Sequence, residues 1–167
     1  VYGFYGSGLG LAAAPDWTWE GGVRNADAGS AISAIGDING DNFADFAVGA
    51  PGHTNEEADE GRVVVFYGSE GGFPDAPSWS LESDIAGTGL GYAVAGGRDF
   101  NGDGFDDLAI GAPNYNGNAG RVYLVLGARA GPPFKCRMTS LPYSLWPSFC
   151  SWRPWPHGWW RTIYPPN

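Results

Sequence analysis

An all-β fold of short antiparallel strands is predicted for this 167-residue chain by three features. Glycine (28) and proline (13) supply about a quarter of the residues and charged side chains only 16%. That balance disfavours a helical bundle and favours strands joined by turns. The apolar runs are short, β-branched or aromatic, and bounded by glycine. The chain also repeats itself. A slide of 62 residues aligns Tyr5–Pro51 with Tyr67–Pro113 without a gap and with 20 identities in 47 positions. The offset then falls to 59, where Gly61-Arg62-Val63 pairs with Gly120-Arg121-Val122. The connection Gly52–Glu60 is there replaced by the shorter Asn114–Ala119, a length change that a surface loop tolerates.

Four strands fit each repeat of 60-odd residues, which describes a propeller blade. Val1–Ser7 and Trp17–Glu20 read as the last two strands of a preceding blade, with Leu11–Ala14 as one possible helical turn. Ala31–Ile35 is small and apolar, suited to a crowded interior strand. Asp45–Ala50 follows and is closed by Pro51, where a missing N–H does no harm. Arg62–Tyr67 is a β-branched and aromatic run, and Ser78–Glu82 is polar enough for an outer edge. Ala93–Ala95, Asp107–Ala112 and Arg121–Leu126 repeat the first three. The expected division is a partial blade at 1–30, a complete blade at 31–90, an incomplete blade at 91–127, and an irregular tail at 128–167. About two and a half blades leave open sides, to be covered by further blades of a parent chain or by self-association.

The tail is a different kind of sequence. All 18 acidic residues lie between Asp16 and Asp107, against four arginines before Gly127, so that segment carries −14. The stretch after it has five basic residues and no acid, with eight of the 13 prolines and five of the eight tryptophans. A foreign or mis-framed continuation explains it better than a stacking surface for nucleic acid or glycan. Cys136 and Cys150 are compatible with a disulfide in an oxidising compartment or with free thiols. The overall charge of −9 disfavours nucleic acid, and no apolar run is long enough to span a membrane. The chain begins at Val1 rather than Met, so we read it as a piece of something longer.

An acidic loop separates the first two strands of each unit. Asp37, Asn39, Asp41 and Asp45 occupy loop positions 1, 3, 5 and 9 of the first, and Asp99, Asn101, Asp103 and Asp107 those of the second. Alternate side chains turned inward, with the backbone carbonyls of Phe43 and Phe105 at position 7, would wrap a hard cation. Three carboxylates and an amide around a dication leave about −1, which suits Ca²⁺ better than Mg²⁺. An EF-hand is excluded, because its position 12 falls on Val48 and Ile110. Solvated Asx turns are the plain alternative, but two loops in register with the repeat favour two Ca²⁺ sites.

On these loops, Gly49-Ala50-Pro51 and Gly111-Ala112-Pro113, and the Gly-Arg-Val strand starts, each unit resembles an FG-GAP repeat, the blade of integrin alpha-type propellers. The Phe-Gly element is degraded to Gly29-Ser30-Ala31 and Gly91-Tyr92-Ala93. The resemblance covers 1–127 and implies extracellular, Ca²⁺-stabilised blades that bind proteins or glycans with loops on one face. The expected function is therefore non-catalytic adhesion or ligand recognition. The rivals are the accessory propeller of a secreted carbohydrate-active enzyme and a lectin-like glycan binder. Other features read as plain structure. His53 is expected to be a solvated loop histidine, Glu56-Glu57-Ala58-Asp59-Glu60 a solvated loop, and Asp106 outward-facing or just behind the metal ligands. Gly6-Ser7-Gly8-Leu9-Gly10 and Gly87-Thr88-Gly89-Leu90-Gly91 lack dinucleotide-binding spacing and read as turns.

Overall fold

The computed structural model describes residues 1–132. The tail beyond them, with Cys136 and Cys150, lies outside the described residues. The strands in chain order are β1 (Tyr2–Gly3), β2 (Gly6–Ser7), β3 (Gly10–Leu11), β4 (Trp17–Thr18), β5 (Ala31–Gly36) and β6 (Asp45–Ala50). They continue with β7 (Arg62–Phe66), β8 (Trp79–Glu82), β9 (Ala93–Arg98), β10 (Asp107–Ala112) and β11 (Arg121–Val125). The complete blade is the antiparallel meander β5-β6-β7-β8, and the last blade is β9-β10-β11. In the partial blade β1 pairs with β4, Gly3 opposite Trp17. The fold is all-β and consists of propeller blades. Among the described residues, no helix is long and apolar enough to cross a membrane.

Three local expectations are corrected. Leu11–Ala14 is not helical: Gly10–Leu11 is a strand that pairs with Gly6–Ser7 in a small hairpin. The interior strands are only half covered, with Ile32 exposed while Ile35 is buried. β5 pairs edge-on with β6, and side chains alternate between its faces, so the face carrying Ile35 meets β9 while Ile32 stays exposed. The third correction is the loop after Pro51. His53 is 4% exposed and Glu60 1%, so neither is solvated. The connection folds inward because His53 N–H donates to Ala50 O and Gly61 N–H to His53 O, each at 3.1 Å.

β6 and β7 carry the centre of the complete blade. Ala47, Val48, Val63, Val64, Val65 and Phe66 are all buried. Trp17 and Trp19 of the partial blade pack on Phe66, with ring centroids 5.0 and 5.3 Å away. On the opposite side the last blade approaches so closely that backbone meets backbone. A Cβ on Gly49 would overlap the carbonyl of Gly91, which fixes the choice of glycine at position 49. A parallel bridge between Gly61 and Leu90 ties the connection into the last blade to the start of β7. This packing brings the β5–β6 and β9–β10 loops to neighbouring positions.

Candidate metal centres

Each acidic loop winds around its first aspartate. Asp37 accepts from the backbone N–H of Gly40 (2.6 Å), Asp41 (3.0 Å) and Asn42 (2.7 Å). Asp99 accepts from Gly102 (2.7 Å), Asp103 (3.2 Å) and Gly104 (2.8 Å). Side chains three and five meet in both loops. Asn39 Nδ2 donates to Asp41 Oδ2 and Asn101 Nδ2 to Asp103 Oδ2, both at 2.9 Å. Phe43 N–H donates to Asp41 Oδ1 and Phe105 N–H to Asp103 Oδ1, which sets the turn at position 7. The turn needs a left-handed residue at position 6, where Asn42 has φ 69° and Gly104 φ 90°. Asparagine tolerates that region better than most side chains do, and glycine enters it freely.

The last ligand candidates, Asp45 and Asp107, lie at the start of β6 and β10 and are 1% and 0% exposed. Asp45 bridges Ile38 N–H (3.0 Å) and Gly68 N–H (2.8 Å), one on each oxygen. Asp107 bridges Phe100 N–H and Gly127 N–H in the same way, both at 2.8 Å. Burial pushes the Asp45 carboxyl up to about 6, and the charges of Asp41 and Asp37 push the same way. The two N–H donors work against that rise. Asp99 is held below its ordinary value, chiefly by the N–H of Gly104. Asp37, Asn39, Asp41 and Asp45 thus bring their oxygens to one short loop, where the charges of Asp41 and Asp37 already act on Asp45. Asp99, Asn101 and Asp103 repeat the same hydrogen bonds, with Asp107 at the strand start. Both sets are of the chemical kind that holds a hard cation.

Asp106 differs from expectation. Its Oδ2 accepts from the N–H of Asp37, 2.9 Å away, in the other blade's loop. Gly36 sits against that carboxylate at φ 69°, and a Cβ there would overlap it. The chain after β11 reinforces the junction, since Ala128 and Ala130 donate to the carbonyls of Ile38 and Asn39 at 3.0 Å. No spacing rule within one repeat could have revealed a residue that serves its neighbour.

The family model described as FG-GAP repeat matches residues 28–66 and 90–125. Integrin alpha-E of Mus musculus is 40% identical over 97 residues, covering 54% of this chain and 8% of that protein. Integrin alpha-PS5 and integrin alpha-PS3 of Drosophila melanogaster are 42% and 41% identical over 117 residues, 66% of this chain in each case. Those stretches are 10% and 9% of the two relatives, so the chain spans about a tenth of the length of the curated relatives it matches. The two blades built on these acidic loops are FG-GAP repeats, and the chain is an integrin alpha-like β-propeller segment.

Proposed function

We propose that this chain is a non-catalytic, extracellular propeller segment that serves adhesion or ligand recognition and holds two Ca²⁺ ions. The ligands are Asp37, Asn39, Asp41, Asp45 and the Phe43 carbonyl in the first loop. In the second they are Asp99, Asn101, Asp103, Asp107 and the Phe105 carbonyl. The observation that carries the reading is the recurrence of one hydrogen-bonded loop, atom for atom, in two repeats only part of whose residues are identical. Solvated turns have no need of a buried ninth aspartate, and both loops have one. The ion would neutralise crowded carboxylates and so fix the loop face, while the ligand, a protein on this reading, would be met by that ordered face. The similarity to integrin alpha chains supports adhesion over an accessory role beside an enzyme.

The test is a Ca²⁺ titration of the full chain by calorimetry, paired with thermal melts in Ca²⁺ and in chelator. Two ions per chain and a higher melting temperature with Ca²⁺ are expected, because an ion that binds only the folded form stabilises it by mass action. Coincident melts would sink the calcium reading. For recognition, the Ca²⁺-loaded chain is passed over immobilised extracellular-matrix proteins and a glycan array. Binding to a protein, reversed by chelator, is expected; binding confined to the array would replace adhesion with a lectin role.

A further inference from the structure

A third group of ligand atoms lies at the opposite end of β6 from the acidic loop. His53, Glu60 and Glu82 each offer one such atom, and the three lie within 4.8 Å of one another. His53 Nε2 is 3.8 Å from Glu82 Oε1, and Arg62 Nε is 3.4 Å from the same oxygen. Asn55 supports both acids: its N–H donates to Glu60 Oε1 (3.0 Å) and its Nδ2 to Glu82 Oε2 (3.2 Å). Burial raises the proton affinity of the Glu60 carboxyl, and the backbone N–H groups of Asn55 and Asp84 act against that rise, while the buried Arg62 Nε has no hydrogen bond. A buried carboxylate costs free energy, which a cation beside it would offset.

The fold does not require these residues. In the last blade the repeat offsets place Tyr115 at the position of His53 and Ala119 at that of Glu60. There Arg121, the counterpart of Arg62, lies 3.6 Å over the Tyr115 ring, and the corner closes by cation–π stacking. The complete blade instead buries an acid beside an imidazole. Burial lowers the proton affinity of His53, and so keeps a ring nitrogen lone pair available. A neutral imidazole, two carboxylates and one guanidinium leave about −1, which a dication would reverse. Arg62 is partly exposed and has room to swing outward when a cation takes its place beside Glu82.

We propose that His53, Glu60 and Glu82 form a third cation site, of the zinc type, separate from the two acidic loops. An imidazole nitrogen and carboxylate oxygens are donors that Zn²⁺ accepts together, whereas Ca²⁺ takes oxygen alone. Ligands at ~2.0–2.1 Å from a tetrahedral ion stand roughly 3.3 Å apart, so the side chains need close in by at most about 1.5 Å on binding.

The test uses the full chain in saturating Ca²⁺, which fills the acidic loops, with Zn²⁺ as the probe. The chain has two cysteines and two histidines. A background of Cys136→Ser, Cys150→Ser and His157→Gln therefore leaves His53 as the only imidazole and no thiol. Calorimetry should find one Zn²⁺ per chain, and the ring-proton NMR signals of His53 should shift on its addition. His53→Gln should abolish uptake. Glu60→Gln should weaken it at least about tenfold, the loss that even outer-shell partners of a metal site cause. No uptake, uptake with unmoved imidazole signals, or uptake unchanged in both variants would each overturn the site. Should a variant fail to fold, the imidazole signals of the background chain decide the matter alone.

Discussion

Tyr67 follows β7, and its ring lies against Gly131, where a Cβ would overlap the hydroxyl. Burial, and then the nearby charge of Asp45, push the phenol from 10.0 up to about 12. A phenol with a raised folded-state value holds its proton more tightly folded than unfolded. Its contribution is complete below pH 10 and is lost as pH rises toward about 12. Tyr67→Phe keeps the ring and removes the proton, so the variant should lose less stability than the parent between pH 10 and 12. Thermal melts across that range check it, and parallel declines would remove Tyr67 from the account. At this scale the sequence was legible where turn chemistry follows spacing, as in the two acidic loops, whose first aspartates accept from the same three backbone positions. It misled where burial depends on a fold-back. His53 and Glu60 are polar residues in a polar stretch, drawn inward by bonds to distant partners: backbone bonds at Ala50 and Gly61 hold His53, and Ser83, Thr88 and Leu90 donate to the Glu60 carbonyl.

Among the elements, β4 shows how two blades are joined. Trp17 is buried, and its Nε1–H donates to Pro74 O at 3.0 Å. Its ring stands edge-on to Phe46, Phe66 and Phe73 at 5.6, 5.0 and 6.1 Å. All three partners belong to the stretch of chain that forms the complete blade and its final loop. Trp17→Ala should therefore destabilise the whole described unit by about 3–5 kcal/mol, the usual range for emptying such a site. Denaturant unfolding in Ca²⁺ measures it, and a loss under about 1 kcal/mol would mean that the first strands are an appendage. The strand at Trp17 was visible because Pro15-Asp16-Trp17 recurs as Pro77-Ser78-Trp79, but it reads as a polar outer edge, and the burial of Trp17 was not foreseen. Strand placement followed for the same reason, since glycine and proline punctuate both copies alike. The β2–β3 hairpin was not visible, because a glycine-rich segment has no alternation to fix its register.

For the molecule as a whole, the last sheet is the open question in packing. Val122 and Leu124 point to one face of β11 and are 72% and 52% exposed, and Leu126, two residues further on, is exposed too. A repeat unit hides such a face only against a neighbour. The full chain should therefore associate as its concentration rises, and Val122→Glu with Leu124→Glu should hold it monomeric. Sedimentation velocity distinguishes the outcomes, and a parent chain that stays monomeric throughout would show that this face is not sticky. The blade count in the sequence already implied an open side, because two and a half blades cannot close a ring.

The bond from Asp37 N–H to Asp106 makes the two acidic loops thermodynamic correspondents. Asp106 adjoins Asp107, so an ion that fixes the second loop also fixes the acceptor on which the first loop rests. Filling either should then tighten the other, and linkage requires the factor to be the same in both directions. A coupling of about 1 kcal/mol, at the low end of the usual range, would appear as a roughly fivefold change in affinity. In Asp103→Ala the first loop should bind Ca²⁺ more weakly than it does in the parent. In Asp41→Ala the second should weaken by an equal factor, and Asp106→Ala should make the loops independent. Calorimetric titrations that return parent affinities in both single-loop variants would dissolve the coupling. Where it holds, calcium is sensed by the seam between blades, and an array of such blades would answer a small change in the ion more steeply than its separate loops.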